Sequence, residues 1–166
     1  MGSFAEAMSE YRMQLEKGVI QQAYKGLMDY MMDLRAYLKN EYPDYFVPGS
    51  IYSGYMDMTY FSFTPVALQE RKLKIAIVFL HEAFRFEAWL AGANKQVQTQ
   101  YWRAFKELGW QKHRLVATTK GADGIVETVL VENPDFDDLE VLTGRIESQA
   151  LYFIGDIVSF CEAHHI

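Results

Sequence analysis

One apolar stripe constrains the fold of this chain more than any other feature of its sequence. Between about Val19 and Tyr42, apolar residues recur at alternating steps of four and three, which places them on one face of an α-helix. The stripe consists of Ile20, Tyr24, Leu27, Met31, Leu34 and Leu38. Pro43 ends the helix, because the residue before a proline avoids helical backbone angles. We therefore expect a long helix whose apolar face packs against another layer.

Two neighbouring segments predict the centre of a β-sheet. Leu73–Leu80 is apolar throughout apart from Lys74, which is typical of a strand covered on both faces. A tight connection over residues 81–83 leads to an antiparallel partner strand at Phe84–Ala91, where the side chains alternate between two faces. Further strands are predicted at residues 51–63, 114–119 and 125–132. Gly54 indicates a bulge in the first of these.

Two more helices follow in the sequence. Asn94 is a good N-cap for a helix that Gly109 ends. Acidic residues after Pro134 precede the last helix, where carboxylates suit the positive end of the helix dipole. Shorter helical segments are predicted at residues 8–17 and 65–72.

These elements predict an α+β fold in one domain spanning residues 1–166. Their order is α-β-β-β-α-β-β-α, and an antiparallel sheet of about five strands with three main helices, packed mainly on one face, buries all the apolar stripes. The length is close to that of a typical single domain. Residues 1–7 are expected to be disordered or added by cloning.

Composition predicts a cytoplasmic protein with no membrane partner. Cys161 is the single cysteine, which excludes an intrachain disulfide and fits a reducing compartment. No segment approaches the roughly 18 apolar residues of a membrane span, and the N-terminus lacks the pattern of a secretory signal. The net charge of −6 disfavours binding to nucleic acid, whose phosphates it repels.

Four segments resemble a bacterial family catalogued only as a domain of unknown function. They are Tyr52–Phe63, Leu73–Phe79, Phe86–Lys95 and Asn133–Phe136. The resemblance extends over nearly the whole chain from about Met8 and implies no activity, cofactor or catalytic residue. A second resemblance, to accessory domains beside restriction-endonuclease-like proteins, rests on the order of elements alone and therefore assigns no chemistry.

The turn between the two central strands predicts a candidate ligand site. If Leu80 pairs with Phe84, alternation places ionisable and aromatic side chains together on one sheet face. These candidates are His81, Arg85, Glu87 and Trp89, with Asp57 and Tyr60 on the neighbouring strand. The arginine could hold a carboxylate or phosphate, and the tryptophan could stack on a flat ring. The alternative interpretation is an Arg85–Glu87 pair on a solvated face, beside an exposed turn histidine.

Signatures of known chemistry are absent from the sequence. No nucleophile elbow of the form G-x-S-x-G and no metal-binding pair of the form H-x-x-x-H occurs. Gly121 and Gly124 lead from one strand to another, so no helix N-terminus follows them to bind phosphate. His81 with Glu87 or Asp57 is the best acid–base pair available. We expect no metal and no cofactor.

The aromatic content favours binding over catalysis. The chain holds 11 Tyr, 11 Phe and 3 Trp, and tyrosines are dense between the first helix and the first strand. Tyrosine buries its ring while its hydroxyl stays at a polar rim, which suits interfaces, ligand pockets and ordinary packing alike. The first hypothesis is a non-catalytic ligand- or protein-binding domain that self-associates, as a homodimer, through an aromatic surface.

Two other functions stay open at this point. The first is a small-molecule enzyme or metabolite sensor that uses the mixed face around His81, Arg85, Glu87 and Trp89. The second is an accessory domain of nucleic-acid-processing proteins, which the net charge opposes.

Overall fold

The computed structural model describes residues 2–166 and builds five helices around a five-stranded sheet. In chain order the elements are α1 (Phe4–Glu16), α2 (Val19–Glu41), β1 (Met58–Ser62), α3 (Val66–Gln69), β2 (Leu73–Leu80), β3 (Arg85–Gly92), α4 (Lys95–Glu107), β4 (Arg114–Leu115), β5 (Val126–Glu132) and α5 (Leu139–Ala163).

The sheet is antiparallel throughout, with the strand order β1-β2-β3-β5-β4. This confirms the predicted α+β class, the five strands and the order of the main elements. One sheet face supplies the core together with helical residues such as Met31, Leu34 and Phe153. The strand residues in that core are Phe61, Leu73, Ile75, Ile77, Phe79, Phe86, Ala88, Leu90, Val126, Leu130 and Val131.

The opposite sheet face carries side chains that alternate with the core residues along the same strands. We call it the open face, and its members include Met58, Tyr60, Ser62, Ala76, Val78, Leu80, Arg85, Glu87 and Trp89. Tyr60, Arg85 and Trp89 are half-buried there, whereas Glu87 is almost fully buried by its neighbours.

The hairpin register differs from the prediction by one residue. Leu80 pairs with Arg85 rather than Phe84, so the connection has four residues, His81–Phe84, instead of three. Phe84 belongs to the turn because its φ is 54°, a left-handed angle that a strand does not use. A one-residue shift transfers a strand's alternation to the other face. The prediction that His81 shares a face with Arg85, Glu87 and Trp89 is therefore wrong.

The segment before β1 is a turn rather than a bulged strand. Strand β1 covers Met58–Ser62 instead of residues 51–63, and Tyr52 folds back to bridge Tyr60. Gly54 allows this reversal because its φ is 74° and a side chain there would collide with the Met58 carbonyl. Strand β4 is also shorter than predicted, because the chain turns away after Leu115.

Helix α1 begins earlier than predicted. Phe4–Ala7 form its first turn rather than a disordered tail. A capping box explains this start: the Ser3 hydroxyl accepts a hydrogen bond from the Glu6 amide at 3.2 Å, and the Glu6 carboxylate accepts one from the Ser3 amide at 2.8 Å. Met1 lies outside the described residues.

Candidate functional site

An apolar cleft of about 850 Å³ opens beside α2 on the helix-covered side of the sheet. Its walls are the N-terminal half of α2, the β2–β3 turn and the start of α5. The residues that line it are Val19, Ile20, Gln22, Ala23, Tyr24, Gly26, Leu27, Tyr30, Met56, Phe79, His81, Phe84, Phe136 and Leu139. We call this the α2 cleft.

The cleft exists because only half of the α2 stripe is covered. Met31, Leu34 and Leu38 are fully buried in the core. Ile20, on the same helix face, is 41% exposed, and Tyr24 and Leu27 are only half-buried. The unburied part of the stripe thus forms one wall of an open groove.

Aromatic rings form the floor of the cleft. Phe79 lies 5.4 Å from Phe84 and 6.2 Å from Phe136, measured between ring centroids, and both pairs meet edge to face. Tyr30 adds an edge-to-face contact with Phe136 at 6.4 Å. Edge-to-face pairs of this kind hold each other's orientation. The floor is therefore preformed, while Phe84 stays 54% exposed at the rim.

Small side chains leave room along the α2 wall. Ala23 and Gly26 both line the cleft, three residues apart and therefore on neighbouring positions of the helix surface. A side chain added at Gly26 would meet nothing within 4 Å. The wall is therefore flat enough for another backbone to approach closely.

His81 is the single ionisable side chain in the cleft apart from the tyrosines. Its Nε2 lies 2.8 Å from the Thr59 hydroxyl, and that hydroxyl donates its proton to the Ser53 carbonyl oxygen at 2.8 Å. Thr59 therefore accepts from His81, which fixes the proton on Nε2. Nδ1 bonds to no group among residues 2–166 and is available to a ligand.

Burial sets the charge of His81. Partial burial lowers the pKa of the imidazole below its ordinary value of 6.5, and the nearby Asp57 carboxylate offsets part of that effect. Asp57 is held elsewhere, since its Oδ1 accepts a hydrogen bond from the Tyr55 amide at 2.9 Å. Backbone hydrogen bonds from Tyr55 and Met58 lower the pKa of Asp57. At neutral pH the cleft therefore contains a neutral imidazole.

The other predicted site residues lie on the open face and bond to one another. The buried Glu87 carboxylate accepts from Arg85 Nε at 2.7 Å and from Trp89 Nε1 at 2.8 Å. Arg85 also contacts Glu132 at 3.1 Å. Tyr60 shares this face but stacks near Tyr52, with ring centroids 5.0 Å apart. The structure thus divides the predicted set: His81 with Asp57 near the cleft, and the remaining four residues on the open face.

The structure contains a polar cluster around His113 that the sequence did not predict. His113 Nε2 lies 2.8 Å from Asp156 on α5, and its Nδ1 lies 3.1 Å from the Thr128 hydroxyl on β5. Carboxylate, imidazole and hydroxyl occur in the order of a catalytic triad. None of the three lines the α2 cleft. These hydrogen bonds link β5, α5 and the segment before β4, so the cluster stabilises the packing of the three.

Tyrosines between the first helix and β1 mostly pack within the chain. Tyr45 stacks on Phe63 at 4.5 Å. The hydroxyls of Tyr37 and Tyr42 both donate to the Glu147 carboxylate on α5, at 2.9 and 2.7 Å. The exposed aromatic surface instead includes Phe4 on α1 and Phe84 at the cleft.

The sequence matches the family model described as "Domain of unknown function (DUF7000)" over residues 4–161. The chain belongs to this family. The predicted resemblance to a domain of unknown function is confirmed, and the match also includes the whole of α1. No curated protein and no solved structure matches the chain.

The family description assigns no activity to this DUF7000 domain, so its chemistry has to be inferred from its side chains. In the part of the chain that the structure describes, no group of three or more His, Cys, Asp or Glu is placed to hold a metal ion. None of the helices over residues 2–166 has the length and apolarity needed to cross a bilayer. The α2 cleft offers apolar surface for contact with a ligand and one unpaired imidazole nitrogen that can accept a hydrogen bond.

Proposed function

We propose that this chain is a non-catalytic binding domain whose α2 cleft receives an elongated apolar group. The observation that carries the proposal is the half-covered α2 stripe: Ile20, Tyr24 and Leu27 continue the buried stripe at the same spacing but line a groove. Covering apolar surface contributes about 25 cal/mol per Å² removed from water. A ligand that fills the groove therefore gains most of its affinity from burial.

The chemistry inside the cleft supports binding over catalysis. A general base needs a partner group that orients it or takes part in proton transfer. His81 is oriented by the neutral hydroxyl of Thr59, and the carboxylate that influences its pKa, Asp57, is hydrogen-bonded to the backbone. The free Nδ1 is suited to accept one hydrogen bond from a bound hydroxyl, amide or indole group.

The test uses a tryptophan that fills the cleft. Gly26→Trp places a bulky ring in the groove, and nothing in the chain lies within 4 Å of the added Cβ. Gly155→Trp is the matched control, because Gly155 is an exposed helical glycine of α5 with equally open surroundings. The probe is 1-anilinonaphthalene-8-sulfonate, a fluorescent anion whose aromatic rings bind apolar surface, at submicromolar protein.

We expect the dye to bind the wild-type chain and Gly155→Trp alike, and to bind Gly26→Trp at least about 10-fold more weakly, a loss of about 1.4 kcal/mol. Equal binding to all three proteins would show that the dye does not use the cleft. No binding to the wild-type chain would remove the proposed function.

A small-molecule sensor or enzyme at the same cleft is a second candidate, favoured by the unpaired Nδ1 of His81. Its substrate would have to place a proton at hydrogen-bond distance from that nitrogen. His81→Gln keeps a donor for Thr59 and removes the basic nitrogen. Selective loss of a metabolite-induced rise in melting temperature in this variant would favour the sensor.

Two further expectations belong to the proposal. Cytoplasmic residence is supported by the single cysteine, Cys161, which is free and buried, and is checked by cell fractionation. An accessory role in nucleic-acid processing is opposed by the charge of −6, and filter binding at low salt decides it.

A further inference from the structure

We propose that the occupant of the α2 cleft is helix α1 of a second copy of this chain, exchanged reciprocally across a twofold axis. This inference rests on the proposed binding role of the cleft and names its partner. It begins from a second unpartnered surface in the same molecule, the apolar face of α1.

Helix α1 is formed but buries none of its 13 residues. Its Phe4, Met8, Tyr11 and Leu15 recur at steps of four, three and four, so they lie on one helix face. Phe4 is 82% exposed. An isolated helix of this length is marginally stable in water, and most helical stability in proteins comes from packing of an apolar face. The sequence of α1 is therefore that of a helix with a packing partner.

The charged residues of α1 leave this stripe free. Arg12 pairs with Glu16 at 3.3 Å on the flank of the helix, and Glu6 completes the capping box on the far side. Docking the stripe in an apolar groove therefore buries no unpaired charge, which would be costly.

The cleft fits a helix in both shape and composition. Ala23 and Gly26 give the groove a flat wall, as close approach of two helices requires, and the aromatic floor lies opposite. The walls are apolar except for Gln22, His81 and the hydroxyls of Tyr24 and Tyr30, so the main gain comes from burying Met and aromatic side chains. Because burial lowers the pKa of His81, docking covers a neutral ring, and its unpaired acceptor Nδ1 costs less than a buried charge would.

The connection between α1 and the cleft favours a twofold exchange. Only Lys17 and Gly18 separate α1 from α2, whose first residues already line the cleft. A twofold axis near this joint places each α1 beside the partner's cleft, and the two contacts are then identical, as in an isologous interface. Gly18 has a φ of 74° and no neighbour within 4 Å of an added Cβ, so no other part of the chain crowds the connection between α1 and α2.

The area is sufficient for a dimer. A 13-residue helix is about 20 Å long and about 10 Å wide. One docked face and its groove together remove roughly 600 Å² from water, and two such contacts give on the order of 1,200 Å², the lower end of the range for specific interfaces. We therefore expect a dimer with a dissociation constant on the micromolar scale.

The first test compares two methionines of α1. Met8 lies on the apolar stripe and is 46% exposed, whereas Met13 lies on the opposite side of the same helix and is 53% exposed. Sedimentation of the full chain should give twice the monomer mass of 19.2 kDa for the wild type. Met8→Glu should weaken dimerisation at least about 10-fold, because each contact would bury a charge. Met13→Glu should leave the dimer intact.

The second test mixes two defective chains. Met8→Glu has an intact cleft, and Gly26→Trp has an intact α1. Each alone should be a monomer at concentrations where Gly155→Trp is a dimer. Mixed together at high concentration, they should associate more strongly than either variant does alone, because the mixed pair keeps one undamaged contact between copies. Failure of the mixture to associate, or a wild-type chain that stays monomeric at high concentration, would overturn the inference.

A peptide separates this failure from failure of the binding role. The probe is a fluorescent synthetic peptide with the sequence of residues 3–17, titrated into Met8→Glu and into the double variant Met8→Glu/Gly26→Trp. Binding to the first chain alone supports the exchange. If the dye binds the cleft while neither peptide nor second copy does, the α1 inference fails and the proposed function stands.

Discussion

The two halves of α2 carry the same sequence pattern and have different environments. In the C-terminal half, Met31, Leu34 and Leu38 lie under the sheet and α5 and are inaccessible to water. In the N-terminal half, Ile20, Tyr24 and Leu27 continue the stripe along an open groove. Periodicity shows that a helix face is apolar, but not what covers it. The difference indicates that part of the packing of α2 is supplied from outside the monomer.

Truncating one stripe residue in each half should give the largest contrast. Leu34→Ala should lower the free energy of unfolding by about 3 kcal/mol, because it leaves a cavity in a closed core. Ile20→Ala should cost less than about 1 kcal/mol at concentrations where the chain is monomeric, since the side chain is already 41% exposed. Urea unfolding of both variants measures this. Equal losses would mean that the N-terminal half is already packed.

The tyrosines of the two halves provide a smaller contrast. Tyr30 is buried, and its hydroxyl lies 3.0 Å from the Thr143 hydroxyl of α5. Tyr30→Phe should therefore cost about 1 kcal/mol of stability. The Tyr24 hydroxyl bonds to no group among residues 2–166, so Tyr24→Phe should be neutral within about 0.5 kcal/mol. A cost at Tyr24 as large as that at Tyr30 would contradict the account of the cleft.

The smallest effect concerns the pH dependence of stability at the cleft. The pKa of His81 is lower in the folded chain than its ordinary value of 6.5, because burial disfavours the charged ring. The unfolded chain then binds more protons in the window below that value, so stability rises as the pH increases towards neutrality. Asp57 is the charged group that opposes this shift. His81→Gln should flatten the slope, as measured by melting temperature between about pH 5 and pH 7.

A control for this measurement is available elsewhere in the chain. His164→Gln removes an exposed imidazole near the C-terminus, outside the α2 cleft, and serves as the matched substitution. If both variants behave like the wild type, the imidazole of His81 is not the group that titrates.

Local sequence signals predicted most of the fold. The stripe of α2, the apolar run of β2 and the N-cap at Asn94 each act through neighbouring residues, and all three were confirmed. The start of α1 was missed, although Ser3 and Glu6 form a capping box, which is a short-range pattern. Such features depend on backbone geometry within one or two turns and need no knowledge of the tertiary structure.

The site was less predictable because it depends on a turn and on distant contacts. Alternation within β3 correctly grouped Arg85, Glu87 and Trp89, but the register depended on Phe84 taking a positive φ that bulky residues rarely adopt. Because Phe84 belongs to the turn, the register differs by one residue and His81 lies on the other side of the sheet from the predicted one. The pairing of His113 with Asp156 spans 43 positions, and nothing in the local sequence indicates it.

Hydrogen–deuterium exchange at several protein concentrations tests the central claim most directly. The account predicts that amides of α1 and of residues 19–29 gain protection as concentration rises through the dimer dissociation constant, while amides of residues 30–38 are protected throughout. Met8→Glu should abolish the gain, and Met13→Glu should retain it. Protection of residues 19–29 that is the same at every concentration would contradict the claim that a second copy completes the α2 stripe.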